Sequence, residues 1–187
     1  TTPDAPKPLA FVQRAWPGRH GFNLNKVAFT PDDATVFWTD GDSVVATVLS
    51  SGSQVARFPF GDGADRHSGA IAIDPSGRFL AIAQPNTLNL EVRSWPEGEL
   101  LEEFTRRLTE PLSALAISPR AELIAGGDPS GRITVWRNTG DFGPPLEFHG
   151  HSEGIRALRF SGDGRFLAST SQDGTLHVWD CLAGSEF

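Results

Sequence analysis

The chain repeats itself at an interval of about 43 residues. The stretch FSGDGRFLA begins at Phe160, and the related stretch IDPSGRFLA begins at Ile73. Shorter matches begin at Ile117 and at Phe29, so four copies extend over most of the 187 residues. Repeats of this length are single supersecondary units that bury their apolar faces by stacking on their neighbours. The sequence therefore predicts an array of four similar units.

The last unit has the period-two pattern of β-strands. Apolar and polar residues alternate over 155–160 and 175–180, with a third strand-like run over 166–171 between them, and this alternation favours strands. Two segments rich in Asp and Gly, 161–164 and 172–174, separate the three runs. Asp and Gly adopt the left-handed backbone angles of tight turns. We therefore expect a three-stranded antiparallel meander.

A fourth strand is expected between successive meanders. The candidates are residues 54–60, 100–106 and 145–149, together with 8–14 before the first meander. Units of about 40–45 residues with four short strands are typical of β-propeller blades. We therefore predict an all-β fold, a β-propeller of four-stranded antiparallel blades. Its predicted parts are a proline-rich linker over 1–8 and a propeller segment over 9–187, with a strand at 8–14 and blades near 20–60, 66–106, 108–149 and 150–187.

Two dipeptides frame the last unit. Gly150-His151 precedes its first strand, Trp179-Asp180 ends its third strand, and the turn 172–174 lies between them. In these features the unit resembles a WD repeat, the unit of a family of β-propeller proteins. In order of decreasing resemblance, the repeats are 149–187, 108–144, and then 20–52 and 66–98.

The resemblance implies a buried hydrogen-bonded network of four side chains in the last blade. The network would join His151, Asp173 and Trp179 to a strand serine, Ser171 or Ser169 on the same face. A buried indole N–H needs an acceptor, and a buried imidazole needs a fixed tautomer. We expect a structural role for it. Ser, His and Asp also form hydrolytic triads, but this serine is expected inside a strand covered by a neighbouring blade, so no catalytic residue is predicted.

The chain ends where the last unit should begin its outer strand. The sequence therefore predicts that the last blade lacks one strand and that the 8–14 strand is spare. Family propellers usually have more than four blades, and an open ring would expose apolar faces and unpaired edges. We therefore expect a partial ring or half of a larger propeller. Further blades from the same protein, a second copy or another subunit would complete it.

Composition excludes several functions. A formal net charge of −7 argues against a general nucleic-acid or membrane-surface role, and no apolar run is long enough to cross a bilayer. A single cysteine permits no intrachain disulfide, and we expect a cytoplasmic protein, or a nuclear one in a eukaryote. His149 and His151 could form a metal pair, but no cysteine and no third histidine is near them in the sequence. We predict no metal and no cofactor.

The resemblance implies a non-catalytic scaffold that binds proteins or peptides. Such propellers mostly bind through the loops around the central channel. The predicted partner-binding residues on those loops are Arg156, Gln172, Glu153, Arg19, Lys26 and Asn86. The alternative is a propeller module of a larger enzyme, or a TolB-like, hydrolase-associated protein, whose chemistry would lie outside this chain.

Overall fold

The computed structural model describes residues 27–39, 43–60, 70–84, 88–103, 108–138 and 144–186. These residues form four sheets, each of four antiparallel strands in chain order, which we name blades 1 to 4. Blades 1 and 2 contain β1 (Val27–Phe29), β2 (Thr35–Thr39), β3 (Ser43–Val48), β4 (Gln54–Pro59), β5 (Ala70–Ile73), β6 (Phe79–Ala83), β7 (Leu90–Ser94) and β8 (Leu100–Glu103). Blades 3 and 4 contain β9 (Ala114–Ile117), β10 (Leu123–Gly127), β11 (Ile133–Arg137), β12 (Leu146–Phe148), β13 (Ile155–Phe160), β14 (Phe166–Ser171), β15 (Leu176–Asp180) and β16 (Ser185–Glu186).

Each blade needs one left-handed residue in the turn between its first and second strands. This residue is Asp33, Gly77, Ala121 and Gly164 in blades 1 to 4, with φ between 54° and 76°. Glycine adopts this conformation freely, whereas a residue with a side chain pays roughly 1–2 kcal/mol. In blade 4 the turn closes with a hydrogen bond from the N–H of Gly164 to the carbonyl of Ser161 (2.9 Å). The Asp-Gly segment therefore forms the predicted turn.

Each blade buries one face against the next blade. The first strands lie side by side, β1 beside β5, β5 beside β9 and β9 beside β13, as in a propeller. Between blades 3 and 4, Ala125, Ile133 and Val135 share one buried cluster with Leu167 and Trp179. Similar clusters lie between blades 2 and 3 and between blades 1 and 2. The apolar core is therefore divided into layers between adjacent sheets.

The last blade has an outer strand, so the prediction that it lacks one is wrong. β16 pairs with Trp179 and Asp180 of β15. The chain can reverse direction here because Gly184 adopts a φ of 69° and donates its N–H to the carbonyl of Asp180 (2.8 Å). The carboxylate of Asp180 also accepts the N–H of Leu182 (2.9 Å). A two-residue strand is too short for an alternating pattern, which explains why the sequence did not reveal it.

The other predicted elements agree with the structure where it describes them. The outer strands expected after the first three meanders are β4, β8 and β12, and the all-β propeller architecture is confirmed. Within the described residues, β13 does not pack against β1 as it packs against β9, so these four blades form a partial ring. The 8–14 strand and the 1–8 linker lie outside the described residues, and the predicted domain limits stay predictions.

Candidate interaction face and its buried network

A buried histidine links the second strand of blade 4 to the loop before its first strand. The Nε2 of His151 lies 2.8 Å from the Oγ of Ser169, and the indole N–H of Trp179 donates to the same oxygen (2.9 Å). Since the side chain of His151 is 0 % exposed, both ring nitrogens need partners. Ser169 accepts from Trp179 and gives its own hydrogen to His151. The imidazole is therefore held in the tautomer that carries hydrogen on Nδ1.

The other ring nitrogen of His151 faces a carboxylate. Its Nδ1 lies 3.1 Å from Asp173 Oδ2 and 2.9 Å from Thr175 Oγ1. Asp173 also accepts the hydroxyl and the N–H of Thr175 (2.6 and 2.8 Å) and the N–H of Ser152 (2.9 Å). These hydrogen bonds, the Thr175 hydroxyl first among them, hold the pKa of Asp173 well below its usual range. Asp173 thus joins the turn between β14 and β15 to the loop before β13.

Ser171, the serine preferred for this network from sequence, lies outside it, and that prediction is wrong. Its hydroxyl donates to the carbonyl of Glu153 (2.8 Å) and accepts the N–H of Asp173 (3.2 Å). Ser169 and Ser171 share a face of β14, but only Ser169 is paired with a residue of β15, His177. Ser171 lies beyond the pairs that β14 makes with β15, at the turn. The four side chains that the structure brings together are His151, Ser169, Asp173 and Trp179.

Trp179 also attaches blade 4 to blade 3. Its ring stacks on Phe148 of β12, with 5.1 Å between centroids and 23° between planes. On the same ring, His177 stacks at 5.4 Å. Gly150 leaves the space that the indole occupies, since a Cβ there would lie 2.8 Å from it. The Gly-His and Trp-Asp pairs are therefore in direct contact in the folded blade.

Blade 2 replaces the network with an ion pair that no sequence motif revealed. By strand register, Arg93 occupies the position of Trp179. Its Nε donates to Glu91 Oε2 (2.7 Å), and its guanidinium lies 5.6 Å from the ring centroid of Phe58 on the outer strand of blade 1. A cation over an aromatic ring is a favourable contact. Arg93 therefore makes the same kind of inter-blade contact as Trp179, with a charge in place of an indole.

Blades 1 and 3 use two further substitutes. In blade 1 the tryptophan lies on the second strand and the hydroxyl on the third, the reverse of blade 4. Trp38 donates its indole N–H to Thr47 Oγ1 (3.0 Å). In blade 3, Gly126 takes the position of Ser169, and a Cβ there would lie 2.9 Å from the ring of Trp136. A search for Trp-Asp pairs cannot find either arrangement, whereas the cross-strand register reveals both.

Residues 150–154 read Gly-His-Ser-Glu-Gly and so match the nucleophile-elbow pattern Gly-x-Ser-x-Gly. An elbow places its serine on a sharp turn from a strand into a helix, whereas Ser152 lies in a loop between strands β12 and β13. The N–H of Ser152 donates to Asp173, and the imidazole of His151 is engaged with Ser169. The segment therefore lacks the geometry of an elbow.

The loops of blades 3 and 4 form one hydrogen-bonded surface above the network. The N–H of Gln172 donates to the carbonyl of Gly154 (2.9 Å), and the N–H of Ile155 donates to the carbonyl of Asp128 (3.0 Å). The hydroxyl of Ser113 donates to the carbonyl of Ile155 (2.7 Å). Two of these bonds cross between blades and connect the loops of blade 3 to the start of the first strand of blade 4. We name it the loop face of blades 3 and 4.

Three of the predicted partner-binding residues are exposed on this loop face. Glu153 and Gln172 lie on either side of the Gly154 hydrogen bond. Arg156 lies at an irregularity in the pairing of β13 with β14, and bulges of this kind redirect a side chain. The exposed side chains of the face therefore include an acid, an amide and a guanidinium. The other three predicted residues lie outside the described part of the chain: Arg19, Lys26 and Asn86.

Metal and thiol chemistry receive no support from the geometry. No three His, Cys, Asp or Glu side chains of the described residues are grouped so that they could hold a metal ion. The Nε2 of His149 lies 3.6 Å from Glu147, while the ring nitrogens of His151 belong to the buried network. Burial raises the pKa of the Cys181 thiol to about 11, so it stays protonated at neutral pH.

The part of the chain that the structure describes has no apolar helix long enough to cross a membrane.

These features define a β-propeller segment whose best-formed blade carries a Trp–Ser–His–Asp network. Residues 143–180 match the WD domain, G-beta repeat. The pre-rRNA-processing protein IPI3 of Mycosarcoma maydis is 32% identical over 154 residues, which are 77% of this chain and 25% of that protein. The serine-threonine kinase receptor-associated protein of Rattus norvegicus is 33% identical over 170 residues, which are 90% of this chain and 45% of that protein.

A solved structure, that of the RRP9 WD40 repeats, has the same fold. It matches with a TM-score of 0.71 at 20% identity, over 90% of this chain and 51% of that one. The chain belongs to the WD-repeat family. It spans a quarter to a half of the length of these curated relatives.

Proposed function

We propose that the chain is a non-catalytic scaffold that binds a protein or peptide through the loop face of blades 3 and 4. The observation that carries the proposal is the exposure of Glu153, Gln172 and Arg156 on or next to loops whose backbones are hydrogen-bonded to one another. A face that is ordered before binding loses little conformational entropy when a partner docks. Backbone amides and carbonyls of a peptide can pair with the carboxylate, amide and guanidinium. Arg19, Lys26 and Asn86 are proposed to extend this face.

The names of the relatives support a role in assemblies. One is a receptor-associated protein, and another is a pre-rRNA-processing protein. Proteins that act by association need a binding surface, which the loop face supplies. The net charge of −7 favours a protein partner over nucleic acid. The cytoplasmic or nuclear location stays a prediction.

The buried network supports the non-catalytic part of the proposal. A nucleophilic serine must expose its oxygen to substrate. The Oγ of Ser169 instead lies between the indole of Trp179 and the imidazole of His151, and the residue is buried. The network therefore stabilises the blade. No observation on the described residues favours the alternative of an enzyme-linked or TolB-like propeller.

Selection from a random peptide library displayed on phage tests the binding proposal. The immobilised chain is expected to enrich peptides that bind the unmodified protein and lose binding to an Arg156→Glu variant. The matched control is Arg120→Glu, since Arg120 is also exposed but lies in the turn between β9 and β10, at the other end of the blades. Peptides that bind all three proteins equally, or a selection that enriches none, would contradict the proposal.

A further inference from the structure

Thr109 and Arg132 bring a hydroxyl and a guanidinium together on the loop face of blades 3 and 4. Thr109 is exposed in the loop before β9, and its Oγ1 accepts a hydrogen bond from Nη2 of Arg132, in the turn between β10 and β11. The Nε of Arg132 donates to Asp128 Oδ2 (3.2 Å). These bonds use two of the five N–H donors of the guanidinium. A threonine hydroxyl therefore lies against a cation that a buried carboxylate holds in position.

The direction of Arg132 is specific to this place in the fold. The sequence Asp-Pro-Ser-Gly-Arg occurs at 74–78 and again at 128–132, and in both turns the aspartate accepts the N–H of the serine and of the arginine. The Nε of Arg78 donates to Ser76 of its own turn (2.7 Å), and this side chain is 73% exposed. Arg132 instead reaches Thr109 and is 22% exposed. The turn sequence alone therefore does not set the direction of Arg132.

Blade 4 offers the opposite environment at the equivalent position. By the 43-residue repeat, Ser152 corresponds to Thr109 and Thr175 to Arg132. Ser152 is also exposed, but its N–H donates to the carboxylate of Asp173 (2.9 Å). Hydrogen bonds, that of the Thr175 hydroxyl first among them, hold the pKa of Asp173 below its usual range. An anionic group on Ser152 would meet a carboxylate, whereas one on Thr109 would meet a guanidinium.

The sequence before Thr109 has the pattern of a kinase substrate. Residues 106–109 read Arg-Arg-Leu-Thr, and Thr109 is the only serine or threonine of the 187 residues with an arginine three positions before it. Protein kinases select substrates partly by the charges around the acceptor hydroxyl, and basophilic serine/threonine kinases favour arginines two and three positions before it. The residue that contacts Arg132 in the folded chain is thus the one that this pattern marks.

We propose that Thr109 is a phosphorylation site for a basophilic protein kinase and that Arg132 binds the phosphoryl group. The kinase would transfer the γ-phosphoryl group of ATP to Oγ1 of Thr109. The bond between the γ-phosphorus and the β–γ bridging oxygen breaks, a new P–O bond forms, and ADP leaves. The hydroxyl proton passes to the catalytic aspartate of the kinase. This proposal goes beyond the loop-face function and does not depend on it.

A phosphoryl group on Thr109 would strengthen a contact that already exists. It carries a charge of about −1.5 to −2 at pH 7 and three acceptor oxygens. The guanidinium of an arginine matches these oxygens with parallel N–H bonds, and such charge-assisted bonds are roughly twice as strong as neutral ones. Phosphorylation should therefore hold the loop before β9 more firmly to the turn 128–132.

Incubation of the folded chain with radiolabelled ATP and the catalytic subunit of cyclic-AMP-dependent protein kinase tests the site. We expect incorporation of phosphate at Thr109, located by tandem mass spectrometry. Thr109→Ala should lose the incorporation, and Thr109→Ser should keep it. The matched control is Ser152→Ala, which removes the hydroxyl at the equivalent position of blade 4 and should leave the incorporation unchanged.

Three outcomes would overturn the proposed site. A folded chain that takes up no phosphate would show that Thr109 is not a substrate. Phosphate at another residue, Ser152 included, would contradict the preference inferred from the two environments. Phosphorylation that occurs only after heat denaturation would mean that the folded chain withholds the hydroxyl from the kinase.

The role of Arg132 has a readout of its own. Phosphorylation should raise the thermal denaturation midpoint of the unmodified protein but not that of Arg132→Gln. The matched control is Arg78→Gln, which removes the arginine of the identical pentapeptide in blade 2 and should keep the full shift. The phosphorus NMR resonance of the phosphothreonine should move in Arg132→Gln and not in Arg78→Gln. Equal midpoint shifts in all three proteins, or a fall in the midpoint on phosphorylation, would contradict the assigned contact.

Discussion

The indole of Trp179 lies nearly parallel to the ring of Phe148, with 5.1 Å between their centroids. This contact joins the third strand of blade 4 to the outer strand of blade 3. Because Trp179 also donates its N–H to Ser169, one residue connects the hydrogen-bonded network inside a blade to the apolar layer between blades. Loss of the network should therefore weaken the junction as well as the blade.

Ser169→Ala removes the acceptor of the Trp179 indole and the donor to His151. The free energy of unfolding should fall by about 1–3 kcal/mol, since the variant leaves buried polar groups without partners. Urea denaturation measures the loss. The control is Ser171→Ala, whose hydroxyl contacts the carbonyl of Glu153 and not the indole. The NMR resonance of the Trp179 indole N–H should shift strongly in the first variant only; equal shifts in both would contradict the assignment.

Asp173 should make the protein sensitive to acid. Its pKa in the folded state is lowered, chiefly by the Thr175 hydroxyl, while in the unfolded chain it has its ordinary value of about 4. The stability that results is complete above the unfolded pKa and is lost as the pH falls from there to the folded pKa. The stability advantage of the unmodified protein over Asp173→Asn should therefore be largest above about pH 5 and shrink in more acidic solution. A difference that stays constant with pH would refute this, and Glu110→Gln serves as an exposed-carboxylate control.

Arg93 and Glu91 should be coupled more strongly than a surface ion pair. Their side chains are 26% and 12% exposed, so water and salt screen them incompletely. A double-mutant cycle with alanine should give a coupling energy of roughly 1 kcal/mol. The same cycle on Arg78 and Asp74, where the arginine is 73% exposed, should give a smaller value. Equal coupling in the two pairs would count against the role assigned to Arg93.

Replacing two glycines of one turn by alanine should change the free energy of unfolding in opposite directions. Gly164 has a φ of 76°, so Gly164→Ala should lower the free energy of unfolding by about 1–2 kcal/mol. A Cβ on Gly162 would meet no neighbouring atom, and its φ lies outside the left-handed region. Gly162→Ala should therefore raise stability by about 0.4–1 kcal/mol, because it restricts the unfolded chain. Thermal denaturation of both variants checks the reversal.

The strands and the propeller fold could be predicted because they depend on patterns within one segment. Alternation defined β13 and β15, and Asp-Gly segments marked the turns on either side of β14. The choice between Ser169 and Ser171 could not be made in this way, since both lie on one face and only the register with β15 separates them. The outer strand β16 was missed because its pairing rests on the turn at Gly184.

The contacts that replace the histidine network in blades 1 to 3 could not be predicted from the sequence for a related reason. Arg93 appears in the sequence as the loss of a tryptophan, and its partner Phe58 is on a different blade. Trp38 and Thr47 exchange strands relative to Trp179 and Ser169, so an alignment by residue type cannot pair them. Contacts that depend on which residues face each other across strands or blades require the folded geometry.

The differences between the blades also bear on how the chain avoids misassembly. Four identical units could stack out of order, or exchange with those of a neighbouring chain during folding, at little cost. Blade 4 has a histidine network, and in blade 3 a tryptophan packs against a glycine. Blade 2 has an ion pair, and in blade 1 the hydrogen-bond donor and acceptor lie on exchanged strands. A unit placed in the wrong position would meet a neighbour with mismatched charge or shape. The differences between the repeats thereby specify the position of each blade in the array.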